Sequence, residues 1–128
     1  MSADVMEQIG VHLEFLGYQV SRDGDIMRAR HQSQPNFLVR RLAGGILFVS
    51  IFGCNDNAKR DRLGYLEMLN ALNDKASVAR FYADKDSDLF IEAWYPDYYD
   101  RAEFGVFMQA WDRDIMTLLM AGADRYVR

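Results

Sequence analysis

Asp84-Lys85-Asp86-Ser87-Asp88 sets three carboxylates at alternate positions, the pattern that opens a calcium loop, where several hard oxygens converge on one cation. The rest of such a loop is missing. Its sixth position is Leu89 rather than the glycine that the sharp turn needs, and its twelfth is Tyr95 rather than a bidentate glutamate. These aspartates therefore read as a solvated hairpin turn. His12 and His31 are the only histidines, and neither has a partner at the short spacings from which zinc sites draw three or four ligands. Cys54 stands just before a helix start, where the dipole would favour its thiolate, although a small residue at a strand end is the simpler reading. No set has the spacing of a catalytic or metal site, so the sequence predicts no catalytic residue, no metal and no cofactor.

Lys59, Arg60 and Arg62, with Arg40 and Arg41, are the densest basic group, but Asp56 and Asp61 dilute it and no recognition motif accompanies it. Gly44-Gly45 joins two strands, whereas a phosphate loop leads from a strand into a helix. The aromatic run Trp94-Tyr95-Pro96-Asp97-Tyr98-Tyr99 is a better binding candidate, because tryptophan and tyrosine supply rigid contact area with a polar tip. We take Trp94, Tyr95, Tyr98 and Tyr99 as partner-binding candidates.

The chain has 128 residues, half of them apolar, which suits one domain with a proper core over residues 1–128. A net charge of -4 repels nucleic acid and anionic lipid at long range, so neither is an expected partner. The lone cysteine fits a reducing cytoplasm. The first residues lack the basic and apolar regions of a signal peptide, and no apolar run approaches the roughly 20 residues of a membrane span. A soluble cytoplasmic protein is expected.

The elements that must position these residues follow from periodicity. Val5, Ile9, Leu13 and Leu16 recur at helical spacing, and Gly17 is placed to stop that helix. Tyr18–Ser21 and Ile26–Arg30 flank Asp23-Gly24, read as a type I′ hairpin turn. Phe37–Leu42 and Ile46–Phe52 form a second hairpin, whose last strand is apolar at nearly every position and so is expected to be covered on both faces. Asn55, Asp56 and Asn57 are good caps for one helix running to about Asn73. Leu63, Tyr65, Leu66, Met68, Leu69 and Leu72 cover more than half of its circumference, wider than one sheet face needs. Either the helix is sandwiched inside the monomer or it meets a second subunit, in which case Leu66 and Leu69 are the expected contact. Ser77–Tyr82 and Leu89–Trp94 make a third hairpin. Asp100 and Glu103 form a capping box before Phe104, Phe107, Met108, Trp111, Ile115, Leu118 and Leu119, the stripe of a last helix. Gly122 ends it, and Asp124–Arg128 are expected to fray. The order α-β-β-β(-β)-α-β-β-α indicates an α+β fold with an antiparallel sheet.

With the elements placed, Phe15-Leu16-Gly17-Tyr18, Gly24-Asp25-Ile26, Asn70, Asn73, Arg80-Phe81-Tyr82 and Leu89-Phe90-Ile91-Glu92-Ala93 carry a resemblance. The chain resembles the bacterial YbjN-like proteins, candidate sensory transduction regulators, along nearly its whole length, and in fold it is similar to the type III secretion chaperones. The resemblance implies a small α+β domain that self-associates and carries no chemistry of its own. Two functions are therefore expected to compete. One is a non-enzymatic, chaperone-like, protein-binding regulator, homodimeric and with an unidentified protein partner. The other is a small-molecule binder or enzyme, with Arg28, His31, Arg40 and Glu92 converging in a pocket between sheet and helices.

Overall fold

The computed structural model describes residues 4–128. In chain order its elements are α1 (Val5–Phe15), β1 (Gln19–Asp23), β2 (Ile26–Arg30), β3 (Phe37–Leu42), β4 (Gly45–Phe52), α2 (Asp56–Arg60), α3 (Arg62–Lys75), β5 (Arg80–Ala83), β6 (Leu89–Pro96), α4 (Arg101–Met120) and a 3-10 turn, Ala123–Arg125. The strands form one antiparallel sheet in the order β1-β2-β3-β4-β6-β5, so the fold is α+β, as expected. Among the described residues no helix is long and apolar enough to cross a membrane.

The core forms where α1 and α4 lie across one sheet face. Phe48 of β4 is fully buried, with the rings of Phe37, Phe104, Phe107 and Trp111 centred 5.0–6.5 Å away. Of the stripe on α4, every residue is buried except Leu119, which is 55% exposed. Asp100 caps α4 by accepting from the backbone N–H of Glu103 at 2.9 Å. Gly17, at φ +95°, lets the chain leave α1, with Tyr18 N–H reaching back to the Leu13 carbonyl.

Three local readings need correction. The first hairpin turns on Gly24-Asp25, one residue later than Asp23-Gly24, because Asp23 pairs with Ile26; positive φ occurs at Gly24 but not at Asp25. The expected single helix over residues 55–73 is two helices, since Asp61 adopts a non-helical φ of −116° and ψ of 61° and caps α3 by accepting from Gly64 N–H. The C-terminal residues do not fray. Tyr126 and Val127 are buried, Val127 bridges to Cys54, Arg128 N–H donates to the Gly53 carbonyl, and the Tyr126 hydroxyl donates to Asp61 at 2.8 Å. Gly64 makes room for this clasp: a Cβ there would lie 2.4 Å from Asp61 Oδ2 and 2.6 Å from the Tyr126 hydroxyl.

Candidate partner-binding face

Side chains alternate across a strand, so one residue set of each strand faces the helices and the other faces away. The pairing register aligns the outward set into three long transverse rows and a short one of Leu42, Gly45 and Pro96. One row runs Ser21, Arg28, Leu38, Val49, Glu92, Arg80. The row on one side of it contains Asp23, Ile26, Arg40, Leu47 and Trp94. The row on the other side contains Arg30 on β2, with Ile51, Phe90 and Tyr82 on β4, β6 and β5. Leu47 and Val49 are buried at 2% and 6% exposure, yet they do not belong to the core cluster under the helices. Only neighbouring side chains shield them. Ile51 and Trp94 stand 48% exposed on the same face.

This refines the expectation that β4 is covered on both faces: Gly45–Ser50 are buried at either parity, but by different means. Ile46 and Phe48 lie in the core under the helices, whereas Leu47 and Val49, shielded by their outward neighbours, and the exposed Ile51 form an apolar column on the open sheet face. Sequence reading missed that column as a site. Its signal was present, because β4 is apolar at both parities and only one parity can meet a single helical layer.

Trp94 lies flat over the β3–β4 hairpin, with its indole N–H donating to the Leu42 carbonyl at 2.9 Å. Gly45 is required beneath it, since a Cβ there would come within 2.2 Å of the indole ring. Toward β5, Glu92 is 6% exposed; it accepts from both Arg80 Nε, at 2.9 Å, and Arg80 Nη2, and from the Tyr82 hydroxyl at 3.0 Å. Burial, followed by the hydrogen bond to Glu92, pushes the Tyr82 phenol above its ordinary value. Tyr82 stacks on Phe90 at 5.3 Å. Two shallow troughs mark the face: one of about 450 Å³ between Trp94, Leu47 and the Arg80–Glu92 pair, and one of about 200 Å³ between Arg28, Arg30, Leu38 and Ile51.

The partner-binding candidates do not gather in one place. Trp94 is on the open face, but Tyr95, the next residue, points to the other side and is buried against Phe104 and Phe107. Tyr95 is thus a core residue, its hydroxyl without a partner among the described residues and its phenol pushed upward chiefly by burial. Tyr98 is 42% exposed and bonds Glu103, while Tyr99 is half-buried with its hydroxyl 2.7 Å from His12 Nδ1. Leu69 is 3% exposed inside the core, so it cannot form a subunit contact; Leu66, at 41%, and Leu63, at 70%, remain outside. The wide apolar arc of α3 is therefore used mostly within the monomer, by Tyr65, Leu69 and Leu72.

The set imagined for a small-molecule pocket is also divided. Arg28, Arg40 and Glu92 share the open face, but His31 folds into the β2–β3 connection, where its Nδ1 accepts from the backbone of Ser33 and Gln34. In the Asp84–Asp88 turn, Asp84 accepts from Asp86 N–H and Asp88 N–H, and Asp88 accepts from Cys54 N–H. Among the described residues no group of three His, Cys, Asp or Glu side chains is placed to hold a metal ion.

Residues 2–117 match the family model YbjN, described as "Putative bacterial sensory transduction regulator". A crystal structure titled "YbjN, a putative transcription regulator from E. coli" superposes with a TM-score of 0.74 at 17% identity, covering 99% of each chain. No curated protein matches the chain in sequence.

Proposed function

The chain belongs to the YbjN family, and from that premise we propose that it is a non-enzymatic regulatory domain that acts by binding another protein on its open sheet face. One observation carries this reading. A six-stranded sheet has helices on one side only, and the other side exposes Ile51 and Trp94, with half-buried Leu38 and Phe90, over a floor of Leu47 and Val49. Exposed apolar surface on a folded domain is costly unless a partner covers it, and aromatic anchors within such a patch are common hot spots. Holding a partner's apolar segment there is chaperone-like in the sense expected from the resemblance. The small-molecule alternative has less support, because its polar groups do not converge.

The test compares what co-purifies from the native host with the wild type, with Ile51→Asp and with Leu66→Glu. A partner lost with Ile51→Asp and kept with Leu66→Glu supports the sheet face; retention by Ile51→Asp overturns it. A second reading, homodimerisation through α3, is favoured by the exposure of Leu63 and Leu66. Light scattering decides it: a dimer converted to monomer by Leu63→Glu with Leu66→Glu supports self-association there, and a monomeric wild type at high concentration removes it.

A further inference from the structure

The outward face is unevenly charged. Asp23, Arg28, Arg30, Arg40, Arg80 and Glu92 project from it, on a protein whose net charge is -4. Glu92 answers Arg80. Asp23 lies 3.7 Å from Arg28, but both side chains are exposed, and such a pair is worth little. Arg30 and Arg40 take part in none of the ion pairs or side-chain hydrogen bonds found among the described residues. The β2–β3 half of the face is therefore cationic beside the apolar column.

The backbone restricts what can lie there. β3 and β4 are hydrogen-bonded to strands on both sides, so the face offers side chains and no free ladder for an added strand. A helix laid on the sheet is the element that packs on side chains alone, and α1 and α4 already do so on the opposite face. Arg30, Arg28 and Arg40 occupy three successive rows about 6.8 Å apart. Helix residues four apart rise about 6.0 Å, close to that spacing.

Resting on the sheet-face reading above, we propose that the partner presents an acidic amphipathic helix: its apolar stripe packs on Ile51, Leu38 and Phe90, above the shielded floor of Leu47 and Val49, and carboxylates about one turn apart meet Arg30, Arg28 and Arg40. Nucleic acid fits less well, because its backbone has no use for the apolar column and the whole chain is acidic.

A displayed library of amphipathic helical peptides tests this, with a fixed leucine stripe and flanking positions varied among acidic, basic and neutral residues. Wild-type protein is expected to enrich acidic peptides at least tenfold over neutral ones. A variant carrying Arg28→Glu, Arg30→Glu and Arg40→Glu, shown to be folded by its unchanged circular dichroism and melting, is expected to invert that preference toward basic peptides. Enrichment that ignores charge but disappears with Ile51→Asp overturns the acidic partner while leaving the binding face in place. Enrichment unaffected by Ile51→Asp, or none at all, overturns both. Tight, salt-sensitive binding of a short DNA duplex that the arginine variant loses also overturns the proposal, in favour of nucleic acid.

Discussion

Replacing Asp114 by alanine should weaken the fold by about 3 kcal/mol, and the geometry says why. Asp114 is on α4 and 2% exposed. Its carboxylate accepts the backbone N–H groups of Ser77, at 2.9 and 3.1 Å, Val78, at 2.9 Å, and Ala79, at 2.8 Å. These bonds explain why β5 begins at Arg80 rather than at Ser77 as its sequence suggests, and they fix the approach of Arg80 and Tyr82 to the open face. In Asp114→Ala the Ala79 N–H stays buried without an acceptor, costing about 2–3 kcal/mol, while exposed Ser77 and Val78 gain water and cost about 0.5–1 kcal/mol each. Relief of the desolvated carboxylate offsets part of the sum, leaving about 3 kcal/mol. With a urea m value of about 2 kcal/mol/M, the unfolding midpoint should fall by about 1.5 M with the slope unchanged. A domain of this size has roughly 6–19 kcal/mol of stability, so the variant still folds. Hydrogen exchange at Val78 and Ala79 should quicken by more than the global change accounts for. A midpoint shift below about 0.5 M would refute the reasoning, since it would mean that desolvation cancels the hydrogen bonds.

Asn73 pairs with Phe81 at two points, Nδ2 donating to its carbonyl at 2.9 Å and Oδ1 accepting from its N–H at 2.8 Å; Asn73→Ala should cost about 1–3 kcal/mol in chemical denaturation, with Asn73→Asp between it and the wild type. Burial, then the Arg101 guanidinium, holds His12 below its ordinary value near 6.5. The folded state thus favours the neutral ring, and its contribution is present above about pH 6.5 and lost as pH falls through the lowered value, so His12→Gln should flatten that part of a pH–stability curve. Tyr126→Phe should lower stability by about 1 kcal/mol, and Gly64→Ala by more, because the added methyl displaces the same hydrogen bond to Asp61. Thermal melting of the two variants checks the order, and an unperturbed Gly64→Ala would contradict the clasp.

Much of the fold was legible because its signals are local. The α4 stripe, the Asp100–Glu103 cap and the third hairpin each depend on residues a few positions apart. The residues carrying the family resemblance also proved to have structural work: Asn73 clamps β5, and Gly17 terminates α1 at positive φ. Misreadings arose where a distant group intervened. Asp61 breaks a helix that periodicity alone would continue, and it is held there partly by Tyr126, 65 residues away. The tail looks polar and frayed until Tyr65 supplies a ring 5.3 Å from that of Tyr126.

The candidate site was less legible. The aromatic run from Trp94 to Tyr99 was chosen by composition, but strand alternation sends Trp94 and Tyr95 to opposite faces, and only the register shows which face the helices occupy. The leucine-rich helix likewise could not reveal how much of its arc the monomer uses. By itself the sequence determined the order of elements apart from the break at Asp61 and the ordered tail, together with the antiparallel sheet and the family, because periodicity, caps and turns act over short spans of chain. Only the tertiary structure decided that Leu69 and Tyr95 are core, that Leu47, Val49 and Ile51 share an open face, and that Arg28, Arg30 and Arg40 stand in successive rows beside them, because sidedness is set by which layer packs where.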